Sequence, residues 1–255
     1  MRSLESLVLA AAVCLFGAGS LAAQTGSGQV QYVGVNGAFS SYNDNGGNLP
    51  QWTVYTAPYQ VQFRIPGNAS SSPLLPASGT STFGPVSDVF CVDFFHDASQ
   101  GTYDAYFTNL GSNGADLGTF TRSGVSLQQY LAAAYLAQEI QVVGASSAAA
   151  GDITGAIFQL MSGSPLYRVI GLAADADGIT SWVNTATTTG WKTVDPSQWV
   201  VVTDKLGAGN QTAGSQEYLA QVTTQVTPEP ATLILLGTGL LGVIVAASAF
   251  RRLSA

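Results

Sequence analysis

Charge is what this chain has least of. Only 9% of its 255 residues are Asp, Glu, Lys or Arg, against roughly 25% in an average soluble domain. Eight basic and fifteen acidic residues leave a formal charge of -7, and no two basic side chains are adjacent before the last five residues. Phosphate contacts need clustered Lys and Arg, so nucleic acid is not an expected partner. The chain has one histidine and two cysteines, too few for a structural zinc site built from four such ligands. Neither a metal nor a cofactor is expected. No repeat of fixed period is present, which removes solenoids and propellers.

What the chain does have is two long apolar runs, one near each end. Residues 7–18 follow Arg2 and lead into the small residues Gly19, Ser20, Ala22 and Ala23. This is the order of a secretory signal peptide, with cleavage after Ala22 or Ala23, and the run is too short to span a bilayer. Cys14 lies inside it, so removal leaves Cys91 as the only thiol. At the other end, 231–250 is uncharged over 20 residues, about 30 Å of helix and enough for one crossing. Arg251 and Arg252 follow at once and favour the cytoplasmic side, which places the central region outside the inner membrane. Pro228 and Pro230 flank Glu229 and keep the backbone before the span extended and accessible.

Pro228-Glu229-Pro230, the apolar span and Arg251-Arg252, in that order at the terminus, resemble the PEP-CTERM sorting signal of Gram-negative, exopolysaccharide-producing bacteria. The resemblance implies recognition by an exosortase-type membrane protease that cuts near the tripeptide. Partners then include the Sec-type export machinery and signal peptidase, the exosortase, the inner membrane as a transient host, and an exopolysaccharide. The expected destination is the cell surface or the extracellular matrix. An alternative is a permanent single-span anchor with an incidental tripeptide.

The domain map is therefore a signal peptide at 1–23, one exported domain at 24–226 and the sorting signal at 227–255. Five basic and thirteen acidic residues put the exported domain at -8. Its first half reads as β structure: 29–35, 51–55 and 59–65 alternate apolar and polar residues, and 88–95 and 102–108 follow. Residues 43–48 read as a turn and 66–85 as a long Ser, Pro and Gly-rich loop. A helical insertion covers about 126–190. Ser126 with Gln129 forms a capping box ahead of a helix through Ile140. A second helix is expected from near Asp152 to Gly163, a third with Ser164 as cap and Pro165 in its first turn, and a short one at 182–186. Strands return at 198–203 and 217–226. The fold class is α+β: a β-rich sandwich or barrel-like domain with inserted helices, plus a C-terminal transmembrane helix.

Reactive groups are densest at Cys91, Asp93, His96 and Asp97. Four ligands within seven residues of one strand converge poorly on a metal, and the bland alternative is a buried thiol at a strand-end turn. Asp175, Asp177 and Gly178 match part of a calcium loop, but two strong ligand positions hold Ala173 and Asn184. A Ser-His-Asp hydrolase would have to use His96, and no Gly-x-Ser-x-Gly elbow occurs. Phe90-Cys91-Val92-Asp93, with Ile153-Thr154-Gly155-Ala156-Ile157-Phe158 about sixty residues on, resembles the two halves of the thioester-domain pattern of bacterial surface adhesins. There a Cys thiol attacks a Gln carboxamide and releases ammonia. Here the Gln position is Thr154, and Gln159 lies about 140° around the helix from it. The leading expectation is thus an exported, non-catalytic surface or matrix protein, linked to exopolysaccharide or biofilm. The alternative is a thioester-domain-like adhesin or binding module acting through Cys91, with Thr154 marking a remnant site.

Overall fold

The computed structural model describes residues 26–36, 39–44, 52–55, 58–65, 83–93, 96–98, 101–112, 114–163, 166–168, 176–210 and 213–222. The expected signal peptide with Ala22 and Ala23, the tripeptide Pro228 to Pro230, the expected span at 231–250 and Arg251 and Arg252 lie outside them. Among the described residues no helix is long and apolar enough to cross a membrane. The chain divides into two compact units, Met1–Thr223 and Thr224–Ala255, and every described residue belongs to the first.

Nine strands are described: β1 (Gly26–Val35), β2 (Phe39–Asp44), β3 (Trp52–Tyr55), β4 (Tyr59–Arg64), β5 (Val86–Cys91), β6 (Thr102–Asn109), β7 (Leu166–Arg168), β8 (Trp199–Asp204) and β9 (Tyr218–Gln221). Six of them close an antiparallel barrel in the order β1-β4-β5-β9-β8-β6, with β1 pairing both neighbours. The ten residues of β1 bend at a register shift between Tyr32 and Gly34, as a bulge does. Alternation in β4 is strict. Tyr59, Val61 and Phe63 are buried and Gln60, Gln62 and Arg64 are not, so the apolar face fills the barrel. There Phe63 meets Phe107 edge-on at 5.5 Å and Tyr59 meets Tyr218 at 5.8 Å.

β8 does not alternate: all six residues of Trp-Val-Val-Val-Thr-Asp are buried. A strand with one face in the barrel and the other under a second layer has no solvent face to make polar. Strands β3-β2-β7 form a separate three-stranded sheet.

Three helices follow β6 in the chain: α1 (Leu127–Val143), α2 (Ala148–Ser162) and α3 (Ala176–Thr188). The capping box at α1 is present, with Gln129 N–H donating to Ser126 Oγ at 3.2 Å and Ser126 N–H donating to Gln129 Oε1 at 2.9 Å. One hydrophobic cluster includes Tyr130, Leu136 and Ile140 of α1 together with Phe90, Trp199 and Leu219 of the barrel. A Gly190 Cβ would stand 2.4 Å from the Tyr135 ring, so the short 3-10 turn Gly190–Thr193 approaches α1 closely only because that side chain is missing.

Several boundaries differ from the sequence reading. The second helix starts at Ala148, because Ser147 accepts the Ala150 N–H at 3.1 Å and caps it one turn before Asp152. The expected third helix is corrected for the residues described after Pro165. Gly163 ends α2 in the left-handed region at φ +71°, and Leu166 to Arg168 then pair antiparallel with Asp44 to Tyr42 of β2. The strand expected at 88–95 is Val86–Cys91. β2 was expected to be a turn at its end and nothing before; its Phe-Ser-Ser-Tyr-Asn-Asp composition carries little apolar signal. Residues 45–51, 66–82 and 223–226 lie outside the described set.

Candidate functional site

Cys91, Asp93 and His96 sit where β5 leaves the barrel. Cys91 pairs with Tyr218 of β9, and Val92 N–H continues the pairing to Glu217 O at 3.0 Å. This places Asp93 beside Arg122, which arrives from the turns before α1. Arg122 Nη2 lies 2.9 Å from Asp93 Oδ2 and forms an ion pair with it. His96 Nδ1 lies 2.8 Å from Oδ1 and 2.7 Å from Oδ2 of the same carboxylate. Asp93 and Arg122 are both buried.

The larger part of this network was not visible in the sequence. Glu217, only 1% exposed, is its centre. Its Oε1 accepts from Arg122 N–H at 2.9 Å and from Thr203 Oγ1–H at 2.6 Å, and its Oε2 accepts from Tyr130 OH at 2.7 Å. Burial pushes the Glu217 carboxyl up from its ordinary value, the three donors pull it back, and the Asp93 charge adds to the rise. The Arg122 guanidinium continues into the 205–217 loop, donating from Nη1 to Asn210 O and Ala213 O and from Nη2 to Ser215 O at 2.7 Å. Gly207 lies flat against it, where a Cβ would stand 2.8 Å from Arg122 Cζ. Asp204 holds the same loop by accepting from Leu206 and Ser215 N–H, each at 2.9 Å.

Cys91 is buried and unpaired by disulfide. Its Sγ–H donates to Asp93 O at 3.2 Å. Burial pushes the thiol well above its ordinary value, and the neighbouring Asp93 charge adds to this, so little of it is the reactive thiolate. Thr154 is buried in α2, the helix that packs on α1, α3 and β7. A carboxamide absent from the sequence reading stands near the thiol instead. Gln216 Nε2 lies 3.5 Å from Asp93 O, the carbonyl that Cys91 also uses, and its Oε1 is buried without a hydrogen-bond partner among the described residues. Gln159 is half-buried on α2. Asp97 is exposed and accepts the Gln216 N–H at its backbone oxygen.

Asp177 and Gly178 fall in the first turn of α3, and Asp175 lies outside the described residues. Among the described residues no group of three or more His, Cys, Asp and Glu side chains is placed to hold a metal ion. The three bonds to Glu217 come from residues 14, 87 and 95 positions away in the chain. The arrangement is a clasp that ties β5, β8, β9, α1 and the 205–217 loop together.

A family model for the PEP-CTERM protein-sorting motif matches residues 226–252. The match contains Pro228, Glu229, Pro230, Arg251 and Arg252 and does not reach the barrel. No curated protein and no solved structure matches the chain.

Proposed function

We propose, from the premise that this chain is a PEP-CTERM protein, that its barrel-and-helix domain is the non-catalytic cargo of the terminal signal. The motif implies processing by exosortase-like machinery and export toward the cell surface through a membrane-associated step. The finer reading adds a signal peptide cleaved after Ala22 or Ala23, a transient inner-membrane stage at 231–250, and a final place at the surface or in an exopolysaccharide matrix. The match at 226–252 carries this reading. What supports the non-catalytic part is that Asp93, Glu217, Arg122 and His96, the densest group of polar side chains, are engaged with one another in the clasp. In cells carrying Glu229→Ala, uncleaved protein is expected to accumulate in the inner-membrane fraction. Normal release of that variant would remove the tripeptide from the recognition step.

A second reading, covalent capture through Cys91, is favoured by one observation: the Cys91 thiol and the Gln216 carboxamide share Asp93 O. In that reaction Sγ attacks Cδ of Gln216, and the amide nitrogen leaves as ammonia with the thiol proton. Gln216, not Thr154, would be the partner. The intact mass would fall by one ammonia, and methylamine would open the thioester to a methylamide. A full sequence mass with a thiol that labels after denaturation excludes this reading.

A further inference from the structure

On the outside of the barrel, where the 205–217 loop leaves β8, the register lines up three polar side chains and a fourth stands next to them. Gln29 of β1 is directly opposite Arg64 of β4 and Asp104 of β6. Lys205 follows β8, and its N–H donates to Asp104 O at 3.0 Å. With Ser27 and Gly28 these residues line an open cleft of about 200 Å³. Gln29 Nε2 donates to Asp104 Oδ1 at 3.0 Å and its Oε1 accepts from Arg64 Nη2, so one carboxamide fixes the groups on both sides. The Arg64 guanidinium rests on the Phe83 ring and the Lys205 ammonium on the Tyr106 ring, each 5.3 Å from the centroid. Lys205 is exposed and makes no ion pair among the described residues.

We propose that this cleft binds a carboxylate-bearing sugar unit, such as a uronate residue of a polysaccharide. Two of only five cations in a domain of charge -8 line one small cleft, so the cleft is a positive point on an acidic surface and calls for an anion. The same cleft presents the Asp104 carboxylate, which a bare anion would face without a donor. A ring carrying both a carboxylate and hydroxyls satisfies both ends: the carboxylate at Lys205 and Arg64, the hydroxyls at Asp104, Gln29 and Ser27. The volume lies below the roughly 300–1,000 Å³ of drug-sized pockets, in keeping with one sugar unit of a chain that continues across the open rim. This inference stands on the cleft alone and goes beyond the sorting reading, so purified protein reports on it whether or not the terminus is cut.

The test is calorimetric titration of the detergent-solubilised full chain with trigalacturonate, with neutral dextran, dextran sulfate and inorganic phosphate as comparisons. Trigalacturonate should bind in low salt and dextran should not. Lys205→Gln should weaken binding about tenfold or more, as loss of a charge-assisted contact does, at unchanged melting temperature, while Lys192→Gln should leave it intact. Asp104→Asn should weaken trigalacturonate binding and strengthen dextran sulfate binding. No binding of trigalacturonate, equal losses from Lys205→Gln and Lys192→Gln, or tighter binding of dextran sulfate or phosphate than of trigalacturonate to the unaltered chain would overturn the proposal. So would an Asp104→Asn variant that binds trigalacturonate more tightly, because the cleft would then be reading charge without hydroxyls.

Discussion

A carboxyl group as deeply buried as that of Glu217 favours its neutral form. Between its ordinary value and the raised folded value, the native chain holds a proton that the unfolded chain has lost. The Glu217 contribution to stability is therefore fully present below the unfolded value and is lost as pH rises through the folded one. Glu217→Gln removes this titration and keeps the geometry, since the amide oxygen can accept from Thr203 and Arg122 while the amide nitrogen faces Tyr130 OH. Denaturant titrations should show the parent chain gaining on the Gln variant as pH is lowered toward the ordinary carboxyl value. A constant gap between the two would mean that Glu217 does not titrate in this window. Glu217→Ala strands the Thr203, Tyr130 and Arg122 donors and should cost about 3 kcal/mol or more. Little of this was legible in the sequence, where Glu217 was the first residue of an expected strand and Arg122 an isolated cation. Their pairing needs contacts 95 residues apart, and no local pattern records those. Cys91 was legible as a buried thiol because Phe90 and Val92 flank it, and Gln216 was missed because its neighbourhood exists only once β5 meets β9.

At the scale of elements, local rules succeeded where a side chain acts on its own segment. The Ser126 and Gln129 box marks the start of α1 and is present in full, while Ser147 does the same for α2 without a glutamine to announce it. Ser147→Ala should cost about 1 kcal/mol through the lost Ala150 N–H acceptor, read from denaturant midpoints. No change would mean that packing alone sets the start of α2. The rules failed at Leu166 to Arg168, where the Ser-Pro pair reads as a helix start and the edge of β2 takes the segment instead. Residues 205–210 and 213–216 carried no assignment in the sequence, and Arg122 binds carbonyls on both stretches. Arg122→Ala breaks the ion pair to Asp93 and the bonds to three loop carbonyls, and should cost about 3–5 kcal/mol. Hydrogen exchange of the 207–216 amides should accelerate more than that of α2. Uniform acceleration would show that the arginine supports the whole fold and not the loop in particular.

For the molecule as a whole, closure decides the architecture. β8 and β9 come from the far side of the helical insertion and fill the gap between β6 and β5. Alternation in β4 told of a strand with one buried face and β8 was legible as a strand, but the order around the barrel is a property of pairing and cannot be read from any one segment. A chain lacking 198–222 would leave β5 and β6 with open edges over the core and should show no cooperative melt. The most direct test of the central claim is the intact mass of the protein recovered from the cell surface of its host. The account expects a chain that starts after Ala22 or Ala23, ends before Arg251 and carries the full mass of the residues between. A surface protein that retains Arg251, Arg252 and the last three residues would contradict processing through the PEP-CTERM motif and leave the span as a permanent anchor.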